Sequence, residues 1–213
     1  LNCGIRIPPS AGSASGVLPN PVGHNRVYVH TGPDLTWEAW WAGLRKGRSF
    51  VTNGPLLLGR ANGELPGHVF RAGAGETISI DLSGRLVSRD PVTRIEVIKN
   101  GRVVKTVPVE HLAGKEPFAT LTFDRSGWFL LRAIADIEHT FRFASTAPFH
   151  VEIGKGGLRI SRTSARFFLD WSRERKQFLE TRIVDSRRRR NVVVYHDRAE
   201  SFWKNRVKAA NAE

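Results

Sequence analysis

Methionine is absent from the 213 residues, even at position 1, and cysteine occurs once, at Cys3. The first absence predicts that the chain is a C-terminal or processed portion of a longer polypeptide. A single cysteine excludes an internal disulfide and any zinc cage built of cysteines. No His with Asn or Asp stands at a spacing that would activate the thiol, so Cys3 reads as a buried structural residue. Long apolar runs are missing too: none approaches the ~20 residues that a membrane span needs. The polar, glycine-bearing start predicts no secretory signal within these residues. Lysine is scarce, 8 against 25 arginines, and with 20 acidic residues the formal net charge is +13. Such a balance directs attention to nucleic acid, anionic surfaces or acidic substrates. The arginines are dispersed, however, with one block at 187–190, and the aromatic-plus-basic pattern of single-strand binders is missing. That argues against nucleic acid as the partner.

Motifs of chemistry are equally thin. The small-residue loop at 11–16 lacks the Lys and Ser/Thr of a phosphate-binding loop, and no His-Glu-x-x-His or His-x-His pair occurs. Seven histidines are scattered at 24, 30, 68, 111, 139, 150 and 196. His24 and His30 flank a strand end next to that loop, and as neutral imidazoles they would suit zinc or manganese. Asp136, Glu138 and His139 together could hold a cation, although a hairpin turn explains them more simply.

What is present reads as three stretches. In residues 1–60 a strand tail at 1–7 stops at Pro8-Pro9, and a strand follows at 26–30. Thr36 then caps a helix at 37–46 whose Trp37, Trp40, Trp41 and Leu44 form one apolar face, and Gly47 ends it. Arg48 opens a short strand, the Asn53-Gly54 turn signal follows, and a second apolar run begins at Leu56. Thr52 and Asn53 could present polar groups to a ligand there, or serve a tight turn in which Asn and Gly supply positive φ. In residues 61–155 the period changes to two: strands are expected at 77–82, 93–99, 102–107, 119–123, 128–135, 141–144 and 149–153. Asn100-Gly101 is a strong hairpin signal between two of them, and Ile98 falls out of step with the alternation. This density predicts an antiparallel β-sandwich of immunoglobulin-like size without the immunoglobulin cysteine pair. In residues 156–213 Ser161 or Thr163 caps an amphipathic helix to about residue 185, and a last helix spans 196–210. The run 192–195 reads either as a short strand or as the start of that helix.

The first stretch carries a family resemblance. Leu1-Asn2-Cys3-Gly4-Ile5-Arg6, then Gly12-Ser13, then Arg26-Val27-Tyr28-Val29, and the complete phrase Gly47-Arg48-Ser49-Phe50-Val51-Thr52-Asn53-Gly54-Pro55 resemble the end of a PHP-type (polymerase and histidinol phosphatase) domain. More narrowly, they resemble the CehA/McbA group of metallohydrolases. The resemblance covers about a quarter of the chain by motif and most of the rest by layout. It implies an α+β chain: the closing elements of an α/β barrel, a β-sandwich and C-terminal helices. It further implies metal-dependent hydrolysis of ester, carbamate or phosphoester bonds with zinc, manganese or iron, and His24, Arg26, Thr52 and Asn53 as site-lining groups. Most metal ligands would come from the preceding part of the same polypeptide, and export follows from family habit alone. Where the family places a metal-binding Asp and His, this chain has Ala14 and Gly16, which cannot ligate through their side chains. The alternative expectation is a non-catalytic protein that binds a carbohydrate or another protein on a degenerate hydrolase fold, and a small-molecule ester or saccharide is the expected ligand class.

Overall fold

The described residues of the computed structural model, 1–113 and 117–213, form eleven strands and three α-helices. In chain order these are β1 (Arg26–Val29), α1 (Trp37–Arg45), β2 (Ser49–Thr52), β3 (Leu56–Ala61), β4 (Val69–Ala72), β5 (Ile78–Val87), β6 (Arg94–Lys99), β7 (Arg102–Pro108), β8 (Ala119–Phe123), β9 (Gly127–Ile134), β10 (Phe143–Thr146), β11 (Phe149–Ile153), α2 (Arg162–Arg182) and α3 (Ser186–Lys208). The chain divides into Arg6–Gly157 and a second unit made of Leu1–Ile5 with Leu158–Glu213. The expected boundary near residue 60 therefore falls inside one unit, because β2 pairs with β10 across most of its length.

Within Arg6–Gly157, two sheets enclose one core. The smaller has the order β3-β5-β8, all antiparallel. In the larger, β9 is the axis. β6 pairs on one side, Ile95 to Lys99 against Ala133 to Phe129, and β10 and β11 share the other edge. Beyond them the sheet forks: β10 leads to β2 and β1, whereas β11 leads to β4 in the one parallel pairing among these strands. Residues 1–60 supply no parallel β/α repeat: β1 and β2 pair antiparallel and belong to the sandwich sheet. Nor is 1–7 a strand. Gly4 N–H bonds to Leu1 O in a turn with Gly4 at φ +70°, and the prolines prevent a ladder beyond it.

The alternating strands do what their period requires, sending Leu57, Ile80, Leu82, Leu121 and Phe123 from one sheet against Ile95, Val97, Phe129, Leu131 and Phe149 from the other. Phe129 and Phe149 stack with centroids 4.9 Å apart at 9°, and both are fully buried. Each such side chain contributes roughly 1.5–3 kcal/mol by leaving water. The Asn100-Gly101 turn has φ of +53° and +87°, the pair a type I′ hairpin demands. The β6–β7 register shifts between Val97 and Ile98, skipping Val104 of β7, while β6 stays in regular register with β9; Ile98 is buried but lies outside the core cluster that holds Ile95 and Val97.

The tryptophan face of α1 departs from expectation. Trp37 is 72% exposed, and Trp40 and Trp41 are half-buried. α1 approaches β1 through Gly43 instead: a Cβ there would lie 2.6 Å from Val29 Cγ1 and 2.7 Å from His30 O. The close approach of backbone to backbone leaves the bulky side chains on the flanks.

In the other unit, α2 and α3 form a hairpin, capped by Ser161 Oγ accepting from Ser164 N–H and by Asp185 Oδ1 accepting from Arg188 N–H. Residues 192–195 are helical. Phe168 stacks on Trp203 at 4.8 Å, beside the buried Ala165, Leu169 and Val207. Cys3 is buried in this unit, and burial pushes its thiol pKa up, opposed by the terminal ammonium and Arg206. An unreactive structural thiol fits that setting. No helix among the described residues is long and apolar enough to cross a membrane.

Because Phe129 touches both layers of the core, Phe129→Ala is expected to lower the unfolding free energy by about 3–5 kcal/mol. Urea unfolding checks this, and a change below about 1 kcal/mol would contradict the shared core.

Candidate functional site

Forking of the larger sheet leaves two concavities in the unit Arg6–Gly157. One, of about 440 Å³, is basic and is framed by the C-terminus of α1, the loop leading to β4, and the β10–β11 junction. The loop crossing that shapes it needs two glycines. Gly47 (φ +70°) and Gly67 (φ +86°) meet where the chain leaves α1, and a Cβ on Gly67 would lie 1.8 Å from Lys46 O. Gly67 N–H then donates to Pro148 O at 2.9 Å, and His150 N–H to His68 O at 2.9 Å.

Five cations line this groove: Arg6, Arg45, Lys46, Arg48 and Arg71. Glu152 takes up two of them, accepting from Arg6 and lying 3.1 Å from Arg71 Nε. Glu64 lies 3.4 Å from His68 Nδ1. Arg45, Lys46 and Arg48 have no acidic partner among the described residues. His150 is buried at the back of the groove, where its pKa is pushed down from 6.5 to about 4, by burial first and by Arg6 next, with Glu152 opposing. It is neutral at pH 7.

The second concavity, of about 770 Å³, lies between β1–β2 and the β3–β5 pair. It is apolar. Tyr28 and Phe50 stack there, 5.0 Å apart at 6°, and Leu58 and Val87 project into solvent at 53% and 47% exposure.

The residues singled out from sequence take other places. Thr52 is buried; its hydroxyl has Pro55 O at 2.6 Å and Phe143 O at 2.9 Å as acceptors and itself accepts from Gly54 N–H. Asn53 works as an extra rung of the β2–β10 ladder. Its Nδ2 donates to Phe141 O at 3.0 Å, and its Oδ1 accepts from Phe143 N–H at 2.8 Å. Neither Asn53 nor Gly54 has positive φ, so the side-chain amide, not turn geometry, explains Asn here. Both site-lining candidates are thus committed to holding the fold.

Arg26 is exposed at the start of β1, with its guanidinium 5.9 Å from the Tyr28 ring. His24 is half-buried in a turn, and His30 is exposed on the rim of the apolar cleft. The extended strand β1, Arg26–Val29, lies between these two histidines in the chain. Ala14 (φ +50°) and Gly16 (φ +89°) are exposed in the turn where Ala14 O accepts from Val17 and Leu18 N–H. No group of three His, Cys, Asp or Glu side chains able to hold a metal occurs among the described residues. His24 and His30, with Ala14 and Gly16, do not fit a zinc, manganese or iron centre.

The groove residues were missed because no spacing links them: Arg6, residues 45–48, His68 and His150 come from four separate segments. One local signal existed, a histidine set between Phe149 and Val151 in an apolar strand.

No family model matches the chain, and no curated protein matches it. Among solved structures, the fibronectin(III)-like modules of CbhA from Clostridium thermocellum are 20% identical, cover 45% of this chain and 96% of their own, and give a TM-score of 0.30. The CARDB domain of the PF1109 protein from Pyrococcus furiosus, determined in complex with di-metal ions, is 18% identical, covers 48% of this chain and 96% of its own, and gives 0.25. What the structure itself defines is an α+β chain: an antiparallel two-sheet sandwich with C-terminal helices.

The His150 environment has a sign. Between pH 6.5 and about 4 the unfolded chain binds more protons at this residue than the folded one, so its contribution is complete above about pH 6.5 and is lost as pH falls toward 4. His150→Gln is expected to reduce the fall in Tm between pH 7 and pH 4.5, measured by thermal melts. An equally steep fall in the variant would contradict this assignment.

Proposed function

We propose that this chain is the non-catalytic C-terminal part of a CehA/McbA-like, PHP-superfamily hydrolase that cleaves ester, carbamate or phosphoester bonds. One observation carries the reading: in the nine-residue phrase 47–55, the most specific point of resemblance, Gly47, Ser49 to Thr52 and Asn53 serve construction. Gly47 permits the loop crossing, Ser49 to Thr52 form a strand between β1 and β10, and Thr52 and Asn53 bond to the backbone of 141–143. A stretch with that role couples the α1 segment to the sandwich and commits Thr52 and Asn53 to backbone bonds, away from the reaction. The metal would be held by residues of polypeptide preceding Leu1, where it would generate hydroxide and polarise the scissile bond. β1, α1 and β2 would then adjoin the barrel.

The test compares residues 1–213 with the longer natural polypeptide, each supplied with zinc, manganese or iron, on aryl esters, carbamates and phosphoesters. Turnover is expected from the longer polypeptide alone. In it, Asn53→Ala is expected to lower stability by about 1–3 kcal/mol, leaving Phe143 N–H without its acceptor, with kcat per folded enzyme unchanged. Turnover by residues 1–213, or a hundredfold loss of kcat in a folded Asn53→Ala enzyme, would overturn the reading.

A further inference from the structure

The basic groove and the apolar cleft are not separate features. Arg48, Leu65 and Pro66 line both, so the two concavities meet across one short stretch of wall. On one side of that wall stand Arg45 and Lys46. On the other lie the Tyr28–Phe50 stack and the exposed Leu58 and Val87. Gly59 and Gly84, paired across β3 and β5, put no side chain into the apolar part. Each volume falls within or close to the range of small-molecule sites.

Charge decides what the composite can hold. Arg45, Lys46 and Arg48 have no acidic partner among the described residues, whereas Arg6 and Arg71 share Glu152 and Glu64 lies beside His68. Three uncompensated cations beside an open apolar cleft match a molecule that is anionic at one end and apolar along its body.

We propose that these two concavities form one binding site for a small amphipathic carboxylate, with its apolar body against Tyr28, Phe50 and Leu58 and its carboxylate at Arg45, Lys46 and Arg48. The guanidinium of Arg48, common to both parts, positions the head relative to the body. Charge-assisted hydrogen bonds from arginine supply the selectivity for an anion. The site stands on these residues alone and is independent of the hydrolase reading.

Isothermal titration of the chain at pH 7.5 and low salt with octanoate, acetate and 1-octanol tests it, since each control removes one half of the ligand. Octanoate is expected to saturate one site and to bind at least about tenfold more tightly than either control. Arg48→Gln is expected to weaken octanoate about tenfold and leave 1-octanol unchanged, whereas Leu58→Asp weakens both. Both side chains are exposed, and circular dichroism with a thermal melt verifies folding; Arg45→Gln replaces Arg48→Gln if the latter does not fold. Acetate binding as tightly as octanoate would reduce the site to the basic groove, and 1-octanol matching octanoate would reduce it to the cleft. Either result, or the absence of saturable octanoate binding, overturns the proposal.

Discussion

Everything else in the sandwich depends on β9 having both of its edges occupied. β6 covers one edge in a single run, while the other must accept β10 and β11 in succession, either side of Ala147-Pro148. Two strands on one edge oblige the sheet to fork beyond them. One arm carries β2 and β1, the other β4, and the three-stranded sheet beginning at β3 faces the shared core. The concavities are consequences of that fork. They form beside diverging backbone, where side chains from distant segments are brought to a common wall.

The phrase 47–55 takes its meaning from the same constraint. β2 lies in the arm next to β10, and an arm that leaves the central strand needs its ladder ended cleanly. Asn53 supplies one more donor and acceptor beyond Thr52, and the Thr52 hydroxyl closes the turn to Pro55. The backbone of Phe141 and Phe143 would otherwise lose these strand-end partners, at a cost that is greatest at the part-buried Phe143 N–H. Polar residues at a strand end can therefore be explained by backbone accounting before any chemistry is invoked.

Local order was legible in the sequence wherever a local rule governs it. The period-two strands, the Asn100-Gly101 hairpin, the Thr36 and Ser161 caps and even the misplaced Ile98 correspond to features of the fold. Long-range pairing was not. Val69 to Ala72 shows no alternation, and it is a strand because β11 lies beside it. The tryptophans of α1 have helical spacing, but spacing says nothing about which face a partner will touch, and Gly43 makes the closest approach to β1. Thr52 and Asn53 were recognisable as polar groups at a strand end, whereas their partners lie about ninety positions away in sequence. Nothing in the local sequence marks Arg45, Lys46 and Arg48, which the fold sets beside a cleft.

Residues 49–54 are expected to open together with the sandwich core and not as a mobile site loop. Native-state hydrogen exchange tests it directly, by comparing the amides of Phe50, Val51 and Gly54 with that of Leu131 in β9. All four are expected to exchange through the same global opening, with equal free energies and equal denaturant dependence. Exchange of the first three through a local opening, several kcal/mol easier than for Leu131, would contradict it.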